Sequence, residues 1–267
     1  MSFISIVHIK QIQNYIGAGI TEPTLALSDD GTLVVIKKYN CIEGNLVLFN
    51  EYICYRLAIR LGIQMPESGV CVIDENTEIN VEGFDSENYG FGFYSTYIHK
   101  TTNLVPSIIP LMNNSRDFFK ILLFDHVVFN PDRNPGNLLV QFFKKNISLQ
   151  VIDHTHVFIN QAIWDKYCLT RAIEDKDYYS TDVLCQNKEL YEMFFSHMKF
   201  VRNELTDILK SFQENITYDI IWDIINDMPI EWLPIQDDLD ALVDYLLYRV
   251  NHLDDICITI ENYLNNN

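Results

Sequence analysis

Positive charge is scarce in this sequence. Nineteen Lys and Arg stand against 37 Asp and Glu, for a formal net charge of -18. Binding a nucleic-acid backbone or an anionic bilayer draws on Lys and Arg to neutralise phosphates, so neither partner is expected. Long apolar runs are also missing. The most apolar stretch, FFKILLFDHVVF (118–129), is broken by Lys120, Asp125 and His126 and is too short to span a membrane. The opening MSFISIVHIK has no basic start and no cleavable apolar core, so no export signal is expected. Six cysteines, at 41, 54, 71, 168, 185 and 257, form no C-x-x-C pair and no Cys/His metal spacing. They read as reduced thiols in a cytoplasmic protein. Internal repeats are absent, as is any low-complexity tract beyond the terminal Asn-Asn-Asn.

What is present fits a folded chain. Of 267 residues, 48% are hydrophobic and 21% charged, enough for one large domain or two lobes. Acidity is concentrated at the end: residues 203–267 carry 14 acidic and 2 basic residues. This reads as a solvated helical face, or as a docking surface for a basic partner. TLALS and TLVVIKKY, separated by Asp-Asp-Gly, predict a hairpin. The spacing over 45–62 predicts a helix stopped at Gly62, and SGVCVID and FGFYSTYI predict further strands. From Ser115, placed to cap an almost wholly apolar helix, helical patterns dominate. LLVQFF, a polar turn and SLQVIDH predict a second hairpin. Residues 187–212, 216–227 and 236–264 read as amphipathic helices. The expected architecture is α+β and bilobal: a small β-rich lobe with one helix (1–99), then a larger helical lobe (100–267), with a cleft between them.

Between the apolar helix and the second hairpin lies NPDRNPGNLLV (130–140). Asp132 and Asn137 are five residues apart on one stiff loop, and Asp153 follows at the end of the next strand. Transfer of a phosphoryl group needs such a set: one carboxylate to orient the attacking hydroxyl, and an amide oxygen and second carboxylate to hold magnesium. Each residue alone reads as ordinary turn chemistry; the joint spacing points to catalysis. Lys37 shares its strand face with Leu33 and Val35, an apolar setting in which an ammonium needs an anion, while Lys38 lies on the other face; a register slip of one residue would exchange the two, so the sequence leaves open which lysine meets phosphate. Glu51 lies at the margin of the 45–62 helix's apolar stripe, and Asn50 nearer its centre, as a buried hydrogen-bonding residue. Gly17 and Gly19, in YIGAGITEP, offer a turn that could cradle phosphate through backbone amides. A lone G-x-G is a weak signal, and no Walker motif is present. His126 reads as a core histidine; His154 and His156 read as packing around Asp153, with His99 remote in sequence.

NPDRNPGNLLV…VIDH resembles the catalytic and metal segments of HipA-like kinases, which are related in motif to phosphatidylinositol kinases. The resemblance extends upstream through EPTLALSDDGTLVVIKKY, FNEYICYRLAIRLGIQMPESGV and FGFYSTYI. Downstream it takes in DMPIEW and LVDYLLYRVNHL. It implies a protein-kinase-like fold and an ATP- and Mg2+-dependent serine/threonine protein kinase. Asp132 would be the catalytic aspartate, Asn137 and Asp153 the metal ligands, Lys37 the phosphate-contacting lysine and Glu51 its partner. STYIH (95–99), with Tyr97 at its centre, would be the hinge that meets adenine through its backbone. A protein substrate, and a regulatory or antitoxin partner, come with the resemblance. Two positions depart from it: Thr155 stands where relatives often have Gly, and Asn134 where many have His. A lipid or small-molecule kinase and a non-catalytic pseudokinase are the rival readings.

Overall fold

The computed structural model describes residues 6–17 and 22–266. The first part of the chain folds into β1 (Val7–Tyr15), β2 (Thr24–Ser28), β3 (Leu33–Lys37), helix α1 (Leu46–Arg60), β4 (Ser68–Ile73), β5 (Glu78–Ile79) and β6 (Gly90–Thr96). The sheet runs β2-β3-β6-β4-β1-β5, and β1 also pairs with β2, so five strands close into a small barrel. Two register shifts in β1, between Ile9 and Gln11 and between Ile12 and Asn14, let one strand serve several partners. Asp29-Asp30-Gly31 makes the β2–β3 turn, with Gly31 at φ +85°.

Strand alternation sorts the side chains. Ala26, Val34, Ile36, Cys71, Ile73 and Tyr94 fill the barrel interior with Ile9, Ile12 and Phe84. Val35 and Lys37 point instead to the outer face, toward a cavity. α1 covers that side of the sheet; ten of its residues are buried, and eight of these, all but Asn50 and Glu51, belong to the main core. It stops as Gly62 turns to φ +70° and the Ile63 amide returns to the Ala58 carbonyl.

The second part holds β7 (Thr101–Asn103), helix α2 (Phe118–Val127), the hairpin β8 (Leu138–Phe143) and β9 (Asn146–Val151), and helices α3 (Lys166–Glu174), α4 (Asp182–Gln186), α5 (Lys188–Phe195), α6 (Thr206–Asn215), α7 (Tyr218–Asn226), α8 (Gln236–Asn251) and α9 (Leu253–Asn266). β7 pairs with β8 in a second, three-stranded antiparallel sheet. α2 is central, with eight of its ten residues buried.

Three local expectations need correction. Ser115 lies in a short 3-10 turn before α2 and makes no capping bond. The 187–212 stretch is two helices, because the chain turns after Phe195 to fold Met198 and Phe200 back onto the core. The 236–264 stretch breaks at His252, whose Nδ1 lies 2.8 Å from the Tyr248 carbonyl and whose ring stacks on Tyr178. α3 and α4 carried no periodicity long enough to announce them.

Candidate active site

The loop after α2 is built around a buried ion pair. The Arg133 and Asp125 side chains are both fully buried, 3.0 Å apart. Arg133 Nε donates to both Asp125 oxygens (3.1 and 3.2 Å), and Nη1 donates to the Ile152 carbonyl (2.8 Å). Nη2 lies 2.8 Å from His154 Nε2. One guanidinium thus joins α2, the loop and the end of β9. Asn130 Nδ2 and the Tyr191 hydroxyl also donate to Asp125, and Asn187 accepts the Arg133 amide. Burial pushes the Asp125 carboxyl up, with Arg133 opposing it. Burial and the neighbouring cation hold His154 well below its ordinary value. The neutral ring therefore accepts from Arg133. The pairing of Asp125 with Arg133 was not expected from the sequence, although His154 was read as packing beside Asp153; an acid inside an apolar helix followed by an Arg eight positions later was the available signal.

On this frame the loop presents Asp132 and Asn137. Asn134 accepts the Gly136 amide (2.9 Å), a tight turn in which a Cβ on Gly136 would press on Asn134 Oδ1 at 3.0 Å. Asn137 Nδ2 donates to the Asp132 carbonyl (2.8 Å), which fixes the amide plane and turns Oδ1 away as an acceptor. The Asp132 side chain is half exposed.

Across the cavity, Lys37 Nζ meets Glu51 Oε1 at 2.5 Å and Asp153 Oδ1 at 2.9 Å, and donates to the Thr155 hydroxyl. Lys38 turns the other way, to the Gly83 carbonyl and Glu22, so strand register selects Lys37 for this face. Glu51 is buried and also accepts from the His154 amide (3.0 Å) and the Thr155 hydroxyl (2.9 Å). Burial disfavours the charged form of Lys37, but the Asp153 and Glu51 carboxylates outweigh it and raise its pKa. Burial likewise opposes ionisation of Asp153, but the Lys37 ammonium and its hydrogen bond hold that carboxyl well below its usual range. Glu51 is raised by burial first, against Lys37. Asp153 adopts φ +60°, a conformation more open to Asp than to most side chains. Thr155 does not, so Gly is not required there. Instead Thr155 is buried among Lys37 and Glu51, and Asn50 pins its carbonyl at 2.8 Å.

A cavity of about 650 Å3 separates the two parts. Lys37, Glu51, Asp132, Asn137, Asp153 and Tyr97 all line it, with Gly17 at its rim in φ +80°. Gly19 lies outside the described residues. The Tyr97 amide donates to the Leu33 carbonyl, so it is not a free donor for a ligand. Val35, Met65, Phe93, Leu139 and Val151 supply apolar walls. Two hard oxygen donors, Asn137 Oδ1 and an ionised Asp153, face this space; that suits an ion sharing its shell with phosphate and water. No helix among the described residues is long and apolar enough to cross a membrane.

A strand lysine held by a helix glutamate over an aspartate–asparagine loop, between a β-rich part and a helical part, defines the protein-kinase-like class. The family model for the HipA-like kinase matches residues 9–256, and the chain belongs to that family and is a kinase. The fold is similar to that of the Helicobacter pylori proinflammatory kinase CtkA (TM-score 0.59, 13% identity, 97% of this chain and 99% of that one). It is also similar to the Golgi casein kinase with Mn/ADP bound (TM-score 0.53, 12% identity, 96% and 74%). No curated protein matches the sequence.

Proposed function

We propose that the protein is an ATP- and Mg2+-dependent phosphotransferase whose acceptor is a serine or threonine hydroxyl of a protein. The supporting observation is Lys37 Nζ, held between Glu51 and Asp153 on the wall of a cavity that Asp132 and Asn137 share. Glu51 fixes the ammonium where it meets the nucleotide's phosphates. Asp132, half exposed on a clamped loop, accepts the acceptor's hydroxyl hydrogen and aims its oxygen in line with the γ-phosphorus. Asn137 Oδ1 and Asp153 would hold the divalent ion, which when bound neutralises phosphate charge. The apolar walls exclude water and strengthen each of these interactions. The Mn/ADP bound to the Golgi casein kinase supports use of a nucleotide with a divalent cation on this fold. The acidic chain disfavours a substrate embedded in an anionic bilayer.

Radiolabelled ATP with Mg2+ and mixed protein acceptors tests this reading. Label should pass to Ser or Thr, vanish with Asp132→Asn, and leave that variant still stabilised by ATP with Mg2+ in thermal unfolding. Label that survives Asp132→Asn refutes the assignment of Asp132. No transfer, together with no stabilisation by nucleotide and metal, leaves the pseudokinase.

A further inference from the structure

His156 is not among the groups just assigned, yet it touches one of them. Its Nδ1 lies 3.2 Å from Asp132 Oδ2, and its Nε2 lies 3.0 Å from Glu43 Oε1. A carboxylate can only accept, and a neutral imidazole carries a single N–H. Both contacts are made only if both ring nitrogens are protonated. The charges agree: the hydrogen bond to Asp132, with Glu43's bond and charge, outweighs burial and lifts the ring to about 9.

The ring joins three segments. Asp132 belongs to the clamped loop, and His156 follows the Asp153 turn. Glu43 sits between β3, which carries Lys37, and α1, which carries Glu51. Glu43 places one oxygen on His156 and buries the other, Oε2, without a partner, a costly arrangement for a carboxylate. Among the described residues, no other side chain bonds the Asp132 carboxylate. The Asp132 amide is tied to Asn130, but its half-exposed side chain owes its direction to the ring.

We propose that His156 is a positioning residue: as an imidazolium it ties the Asp132 carboxylate to Glu43 and sets the direction in which Asp132 meets an acceptor hydroxyl. This rests on the role given to Asp132 above.

Replacement by amides separates the two bonds. The Asn nitrogen falls near the place of Nδ1 and keeps the bond to Asp132; the Gln nitrogen falls near Nε2 and keeps only Glu43. His156→Asn should hold kcat within roughly threefold of wild type, while His156→Gln and His156→Ala should lower it about 10- to 100-fold, the cost of a misaimed group. KM for ATP should not move. Thermal unfolding checks that each variant folds. Side-chain 15N spectra of the unmodified protein near neutral pH should show His156 protonated on both nitrogens. A neutral ring, equal kcat for wild type and His156→Gln, or a loss confined to KM for ATP overturns the inference. Failure of the wild type to transfer phosphate is a different result. It removes the kinase reading, and the 15N spectra still decide whether the link exists.

Discussion

Arg133→Met is the sharpest perturbation this fold offers, because the guanidinium it removes is buried with its partner and bonded on every side. Met fills similar volume, so the cost is electrostatic. Asp125 keeps the Asn130 and Tyr191 donors but loses its counter-charge, and the Ile152 carbonyl and His154 Nε2 lose a donor. Removing one member of a buried pair costs about 3–5 kcal/mol. For a chain of this size that lowers Tm by roughly 6–20 °C, at about 2–4 °C per kcal/mol. The deficit should depend on pH, with a definite sign. Asp125 already sits above its usual value through burial, and loss of Arg133 raises its folded pKa further. A raised carboxyl contributes stability below its unfolded pKa and loses it as pH climbs through the folded value. Hence the gap to wild type should widen with rising pH and close in acid. Urea unfolding across a pH series measures both quantities. A deficit under about 1 kcal/mol, or one flat with pH, refutes the view that this pair holds the loop. Phosphotransfer should fall with it, because the carbonyl of Ile152, beside Asp153, is one of the groups released.

Lys37→Met should cut phosphotransfer by about 10²–10³-fold, the scale of losing one transition-state donor; kcat/KM within tenfold of wild type would remove Lys37 from the phosphate site. Gly92→Ala places a Cβ 2.7 Å from the Lys37 carbonyl and 3.3 Å from Cys71 Sγ. It should cost about 1–3 kcal/mol and weaken ATP binding by displacing β3, and an unchanged urea midpoint would contradict that contact. His126, pushed down to about 3 by burial, stays neutral when folded but charges when unfolded. Stability should therefore fall as pH drops from about 6.5 toward 3, by about 1.4 kcal/mol per pH unit for this group. His126→Asn, which keeps a donor for the Leu122 carbonyl, should flatten that slope; an unaltered acid limb assigns the loss elsewhere.

The local order of the chain was readable where local chemistry decides it. Asp29-Asp30-Gly31, Gly62 and the polar turn after Phe143 ended elements where the structure ends them. Alternation along Leu33–Lys37 put Lys37 and Lys38 on opposite faces. The helical tail was less legible: neither the break at His252 nor the turn after Phe195 follows from periodicity. A side chain reaching a distant ring, or a core that must be re-entered, overrides propensity there.

By itself the sequence determined the class: a β-rich segment, a helix, then an aspartate–asparagine loop and hairpin aspartate whose spacing one stiff loop and one strand can fix. Only the tertiary structure decided which groups hold those residues in place. Arg133, paired with Asp125 of α2, also holds the Ile152 carbonyl just after β9, 19 positions on, and Glu43 meets His156 across 113 positions. Hydrogen bonds act over about 3 Å of space and leave no periodic trace along the chain, so partners that far apart become visible only once the fold brings them together.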